Sequence, residues 1–286
     1  MLLPVGLVIF TDLDGTLLDA AYSILPATPA LEALRQASVP VVICSSKTKS
    51  EIEHYRKRLD NRDPFIIENG GAVFVPEGYF GFPAAAGLPR AARKGVKGAA
   101  TGGGYEMVRL GAPYEALRSV LAALRAKGLP IKGFGDMTAA EVAAATGLPP
   151  DQAAMAKERA FDEPFYLEGD GGAQAVIARA ARRAGLRVSG RGPFHLTGSD
   201  KGKAVLLVRV LFRKALGDTL FAALGDSSGD LPMLLAVDRP IVVQRADGTY
   251  DPELAQAGFP RANGPGPAGW NKAVLALLAG EAGPGA

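Results

Sequence analysis

Leu7-Val8-Ile9-Phe10 restricts this chain more than any other stretch. Four apolar residues in unbroken succession leave no polar face, so a strand here must be covered on both sides. Such strands belong to parallel sheets with helices on each face. The run stops at Asp12-Leu13-Asp14-Gly15-Thr16, and the pattern recurs. Val41-Val42-Ile43-Cys44 precedes Ser45-Ser46-Lys47-Thr48, Phe65-Ile66-Ile67 precedes Glu68-Asn69-Gly70, and Leu220-Phe221-Ala222-Ala223-Leu224 precedes Gly225-Asp226. Helical stretches at residues 29–37, 50–59, 201–215 and 269–279 separate and follow them. The alternation predicts an α/β fold around a mostly parallel sheet.

The middle of the chain differs. Residues 83–101 crowd Pro, Gly, Ala and basic side chains without periodicity and read as a loop or linker. Helices are predicted at 113–127, 138–146 and 152–159, the second opening with the capping box Thr138-x-x-Glu141. Residues 164–168 and 186–189 read as strands around a helix at 172–184. This block predicts a second α/β unit, residues 83–195, inserted into a core made of 1–82 and 196–286. Gly81–Pro83 and Gly198 are the expected joints.

Composition narrows the function. With 48% hydrophobic residues the chain can bury a sizeable core. A net charge of +3 from 32 basic and 29 acidic residues gives no electrostatic case for nucleic acid or an anionic membrane. No apolar run approaches the ~20 residues that span a bilayer. The single cysteine, Cys44, lies in an apolar run and reads as a core residue; one thiol fits a cytoplasmic setting. Two histidines and one cysteine nearly exclude a zinc site.

Four clusters carry the chemistry. Asp12 and Asp14 follow a buried strand, where ligands bind in open parallel sheets, and Gly15 allows a tight turn. One carboxylate can attack while the other handles protons. Ser45-Ser46-Lys47-Thr48 offers hydroxyls and helix-start N–H groups to an anion. Lys201, in Gly198-Ser199-Asp200-Lys201-Gly202-Lys203-Ala204, is unhelpful to the helix dipole, which hints at an anionic partner. Gly225-Asp226-Ser227-Ser228-Gly229-Asp230 adds two carboxylates beside glycines. Taken singly, each cluster also reads as an Asx turn, a helix cap, a solvated lysine or a surface turn. Together they supply a nucleophile, an acid/base, a lysine, a hydroxyl and oxygen ligands suited to Mg²⁺.

In this order the clusters resemble the four motifs of the haloacid dehalogenase superfamily, and the inserted block looks like its α/β cap. The resemblance implies a Rossmann-like core and a Mg²⁺-dependent phosphatase. It implies Asp12 as nucleophile, Asp14 as general acid/base, Ser45 and Lys201 as phosphate-binding groups, and Asp12, Asp14, Asp226 and Asp230 around the metal. Gly229 departs from the asparagine common at its place. A narrower likeness to the mannosyl-3-phosphoglycerate phosphatase family lies in residues 45–49, 54–57, 64–70, 146–150, 159–168 and 198–204. It implies a small sugar-phosphate substrate, an aspartyl-phosphate intermediate and a role in compatible-solute synthesis. Sucrose-phosphate or phosphoglycolate phosphatases and phosphomutases are the alternatives. Ser46, Lys47, Thr48 and Asn69 beside the core cleft, and Thr138, Glu168, Arg191 and His195 in the cap, are the candidate substrate contacts.

Overall fold

The computed structural model describes residues 6–168, 172–190 and 192–280. The first expected strand is β1 (Leu7–Thr11), and all five of its residues are buried. Its alternate side chains enter different layers, as a strand covered on both faces requires. Leu7 and Ile9 pack in one layer with Trp270 and Val274. Val8 and Phe10 pack in the other with Val205 and Val208. The helices Gly266–Leu278 and Lys201–Leu216 therefore lie on opposite faces of the sheet.

Two further strands follow: β2 (Val41–Cys44) and β3 (Phe65–Ile67). Three antiparallel strands extend this side: β4 (Ala72–Pro76), β5 (Gly98–Gly102) and β6 (Tyr105–Arg109). A second, four-stranded antiparallel sheet holds β7 (Ile131–Gly133), β8 (Asp162–Leu167), β9 (Arg187–Gly190) and β10 (Phe194–Thr197) in the order β7-β8-β10-β9. The chain then returns through β11 (Leu220–Gly225), β12 (Arg239–Gln244) and β13 (Arg261–Pro265). The main sheet has the order β13-β12-β11-β1-β2-β3-β4-β6-β5, parallel from β13 to β3.

That order decides where chemistry can happen. Strands β11, β1, β2 and β3 are neighbours and parallel, so their C-terminal ends share one edge of the sheet. The chain steps from β1 to β2 on one side and reaches β11 on the other, which makes β1 the switch point where such sheets open a crevice. Over this edge lies the second sheet. It is backed by helices Tyr114–Arg125 and Gly172–Arg183, through Leu117, Leu121 and Ile177 against Phe165 and Leu196.

The insertion expected at 83–195 begins later in the structure. Residues 98–109 form a hairpin on the edge of the main sheet, turned at Gly103 and Gly104 with φ 63° and 80°. That turn suits two glycines. The stretch reads as linker because β5 is Gly-Ala-Ala-Thr-Gly, with neither β-branched run nor buried face, an edge strand held by backbone bonds alone. The chain leaves the main sheet through Gly111 and returns through Gly198, not near Gly81. A Cβ on Gly198 would lie 2.6 Å from the Ala112 nitrogen, so the two crossings run side by side.

The end of β1 is anchored from the helix Gly266–Leu278. Trp270 is fully buried and its Nε1–H donates to Thr11 Oγ1 at 3.0 Å. The Thr11 hydroxyl donates in turn to the Asp12 carbonyl at 2.8 Å. Trp270→Phe keeps most of the volume and strands the threonine oxygen. A loss of about 1–2 kcal/mol is expected, read by urea denaturation.

Candidate active site

Asp12, Asp226 and Lys201 arrive from three separate stretches of sequence and meet at the shared strand edge. Asp12 follows β1, Asp226 follows β11, and Lys201 opens the helix Lys201–Leu216. The Lys201 ammonium is buried and donates to Asp12 Oδ1 at 2.8 Å and to Asp230 Oδ1 at 2.7 Å. Carboxylate oxygens of Asp12, Asp226 and Asp230 all lie within 4.8 Å of one another. The N-cap Asp200 accepts the Lys203 N–H at 2.9 Å and fixes the start of the lysine's helix.

The carboxylates differ in what else holds them. Asp226 Oδ1 accepts the Thr16 hydroxyl at 2.8 Å. Asp230 Oδ2 accepts the Asp226 and Ser227 N–H groups and the Ser227 hydroxyl at 3.1–3.2 Å. With Lys201 on its other oxygen, Asp230 is largely spent on holding the lysine and the loop. Asp14 is half-exposed; its Oδ2 pairs with Lys47 at 3.0 Å, and its Oδ1 is itself buried and has no hydrogen-bond partner among the described residues. Lys47 is buried, 3.5 Å from Glu51, with its ammonium near the Tyr22 and Tyr55 rings. Gly15, at φ 74°, lets the loop pass: a Cβ there would sit 2.6 Å from Asp226 Oδ2.

Crowding sets the electrostatics. Burial raises Asp12 to about 7, with Asp230 and Asp14 adding to the rise and Lys201 opposing it. Burial likewise raises Asp226 to about 8, with Asp230 and Asp12 adding. Burial works to lower Lys201, but Asp12 and Asp230 outweigh it and hold the ammonium above its usual range. Such a cluster of oxygens, all of hard-ligand type and short of positive charge, fits a divalent cation of the Mg²⁺ class. Cys44 lies behind the site, fully buried, and burial pushes its thiol far up, so it stays a protonated core residue.

A cleft of about 260 Å³ opens onto these groups. From the core it is lined by Asp12, Asp14, Ser46, Asn69, Lys201, Asp226 and residues 227–229. Ser189, Gly190, Pro193 and His195 close it from the second sheet. Ser45 lies just behind Ser46, buried, with its hydroxyl oxygen accepting the Lys47 N–H at 3.3 Å.

Other expected residues lie elsewhere. Thr48 is the N-cap of the helix Lys49–Leu59, and its hydroxyl also reaches the Met155 carbonyl at 2.9 Å, so it ties the two sheets' layers together behind the cleft. Thr138 is exposed and its hydroxyl is used in the capping box with Glu141. Glu168 is exposed at the far end of β8. Neither is among the residues lining the cleft, because a predicted strand or helix does not say which end faces the core. Arg191 lies outside the described residues.

Several contributors are not singled out by the sequence, although Arg159 and Asp162 fall within the 159–168 stretch of family likeness. Asp162, fully buried in β8, accepts from Asn69 Nδ2 at 2.8 Å and pairs with His195 Nδ1 at 2.7 Å. Arg159 donates to the Ser46 carbonyl at 2.7 Å. Arg245, paired with the buried Asp251, reaches the cleft from the loop after β12.

Comparison with known proteins adds to the geometry. Residues 9–79 match the family described as haloacid dehalogenase-like hydrolase. A glucosyl-3-phosphoglycerate/mannosyl-3-phosphoglycerate phosphatase of Methanococcoides burtonii is 41% identical over 275 residues, 95% of this chain and 97% of that one. A mannosyl-3-phosphoglycerate phosphatase of Pyrococcus horikoshii is 35% identical, over 82% of this chain and 89% of its own. Among solved structures, a haloacid dehalogenase-like hydrolase from B. subtilis superposes with a TM-score of 0.65 at 15% identity, covering 95% and 98% of the two chains.

Two predictions follow from the charge balance. Asp12 and Asp226 bind protons more tightly folded than unfolded. The stability they contribute is fully present below their ordinary value of 3.8 and lost as pH rises through about 7 and 8. The melting temperature of metal-free protein should therefore fall between pH 5 and pH 8, and Asp226→Asn should flatten that fall. Lys201→Met leaves Asp12 and Asp230 facing each other in the interior. A loss of about 3–5 kcal/mol is expected at pH 8 and a clearly smaller one at pH 5, measured by chemical denaturation.

Proposed function

This chain belongs to the haloacid dehalogenase-like hydrolases, and from that membership we propose that it is a phosphatase of mannosyl-3-phosphoglycerate, forming mannosylglycerate and phosphate. The observation that carries the reading is Asp12 at the end of β1, held at 2.8 Å by Lys201 with a second carboxylate, Asp14, two residues on. The choice of substrate rests on the 41% likeness that runs through 95% of the chain, second sheet included.

In this reading Asp12 attacks phosphorus in line. The P–O bond to glycerate breaks as the Asp12 Oδ–P bond forms, giving an aspartyl-phosphate. Asp14 protonates the departing glycerate oxygen, then takes a proton from the water that hydrolyses the acyl phosphate. Its Oδ1, buried and without a hydrogen-bond partner among the described residues, is not committed elsewhere, while Lys47 steadies the other oxygen. Lys201 and the Ser45 hydroxyl hold the peripheral phosphate oxygens, where charge spreads in the transition state. Asp12, the Asp14 carbonyl and Asp226 would hold Mg²⁺, which when bound screens the attacking carboxylate from the phosphate dianion. Asp230, whose carboxylate lies within 4.8 Å of those of Asp12 and Asp226, would border the ion and also acts through Lys201 and the 226–227 backbone. Ser46, Asn69 and His195 face the rest of the substrate; Lys47 and Thr48 support the wall behind. The one buried cysteine suits reaction in the cytoplasm.

Glucosyl-3-phosphoglycerate is a second substrate to be tried, because the relative from M. burtonii is named for both. Phosphate release from a panel of sugar phosphates holding both compounds tests the proposal, with sucrose phosphate and phosphoglycolate as competitors. Mannosyl-3-phosphoglycerate should have the highest kcat/KM, and EDTA should abolish turnover until Mg²⁺ is restored. Asp12→Asn should lower kcat by at least about 10⁴. Asp14→Asn should slow both half-reactions, so that burst and steady-state rates fall together. Retained turnover in Asp12→Asn removes it as nucleophile.

A further inference from the structure

Glu68 has no place in the chemistry above, yet it is among the most heavily committed side chains in the molecule. It follows β3 at the strand edge and is fully buried. Its Oε2 accepts the backbone N–H groups of Ala160, Phe161 and Asp162 at 3.0, 2.7 and 2.8 Å, and its Oε1 also accepts from Ala160 at 3.1 Å. All three donors belong to the chain entering β8. A core carboxylate thus grips three successive amides of the layer above. Burial raises Glu68 to about 7, and above that pH the bonds are charge-assisted and strong.

The local backbone is bent to allow the grip. Glu68 and Asn69 have φ of 47° and 56°, a region side chains rarely adopt, and Gly70 follows at 85°. Such conformations persist where surroundings over-determine them, and they gather at functional sites. Here the surroundings are the Glu68 bonds and the Asn69–Asp162 bond. Only glycine fits at position 70, because a Cβ there would lie 2.1 Å from the Asp200 carbonyl oxygen.

The grip reaches the cleft in two steps. Asp162, whose N–H Glu68 holds, uses one oxygen, Oδ2, for both Asn69 and His195. The bond at Nδ1 leaves His195 Nε2 as the ring nitrogen available to a ligand. Asn69 and His195 both line the cleft that also holds the Lys201–Asp12 pair. They are suited to hydroxyl groups of a sugar or glycerate.

We infer that Glu68 is the positioning residue of the substrate-facing wall: by holding Ala160–Asp162 to the core, it sets Asp162 where it orients Asn69 and His195. The inference rests on the sugar-phosphate reading for the identity of the ligand, and it leaves the phosphorus chemistry to other residues.

Glu68→Gln tests it, since the amide keeps the size and replaces one acceptor oxygen by a donor facing N–H groups. KM for mannosyl-3-phosphoglycerate should rise about tenfold or more, with a much smaller change in kcat. Hydrolysis of p-nitrophenyl phosphate, which has no sugar to recognise, should change by less than about twofold. In a His195→Ala background Glu68→Gln should raise KM by less than it does alone, because the His195 branch of the relay is already gone and only the Asn69 branch is left to disturb. Asp162→Asn leaves the Glu68 bonds in place and should show the same split, which keeps the test decisive if Glu68→Gln folds poorly. An unchanged KM in folded Glu68→Gln overturns the inference. So does a parallel loss on both substrates with additive effects in the double variant, which marks a purely structural role. If the parent enzyme prefers another sugar phosphate, the substrate reading fails alone, and the same split is read on the preferred compound.

Discussion

A buried ammonium between two buried carboxylates is the interaction on which the rest of this molecule is arranged. Bringing Lys201 against Asp12 and Asp230 removes three charges from water, and one cation does not balance the three acids when Asp226 is counted. Such a group is costly to assemble and is weak evidence of stability by itself. The scaffold offsets the cost. A strand buried on both faces sets Asp12, a tryptophan–threonine relay pins its carbonyl, and a capped helix delivers the lysine. What results is a place where added positive charge, or a phosphate in contact with the lysine, meets groups already oriented for it.

The layer above the strand edge is bound to the core by side chains that do no chemistry. Thr48 reaches Met155, Tyr55 reaches Gln152 at 3.0 Å, Arg159 reaches the Ser46 carbonyl and Glu68 grips residues 160–162. These contacts fall along one side of the cleft. On the other, Ser189, Gly190 and Pro193 approach residues 227–229. The two sides of the cleft are therefore held by different sets of contacts.

Much of this was legible in the residues because parallel strands announce themselves. Leu7–Thr11 is apolar throughout, and the groups that follow strands in such sheets converge by topology, so Asp12, Ser45, Asn69 and Asp226 could be assembled on paper. Lys201 was legible as a charge on the wrong end of a helix. The rest fails for physical reasons. Gly98–Gly102 joins the sheet as an exposed edge whose side chains contribute nothing to read. Thr138 has the same sequence signature whether its helix faces a cleft or water. Asp162 is set by long-range pairing with Asn69 and His195, residues 93 and 33 positions away. Asp230 stays one of three carboxylates close enough together for a cation, but its bonds to Lys201 and the 226–227 backbone depend on the fold and carry no local signature.

The side-by-side crossings at Gly111 and Gly198 make the upper layer a cassette. Both ends of the inserted segment leave the sheet at one spot, where a methyl group on Gly198 would run into Ala112 of the other crossing. A different insert with the same two termini could be spliced there without reordering a single strand of the platform below. Diversification of what is recognised, over a fixed way of handling phosphorus, is then a matter of exchanging one contiguous piece of gene.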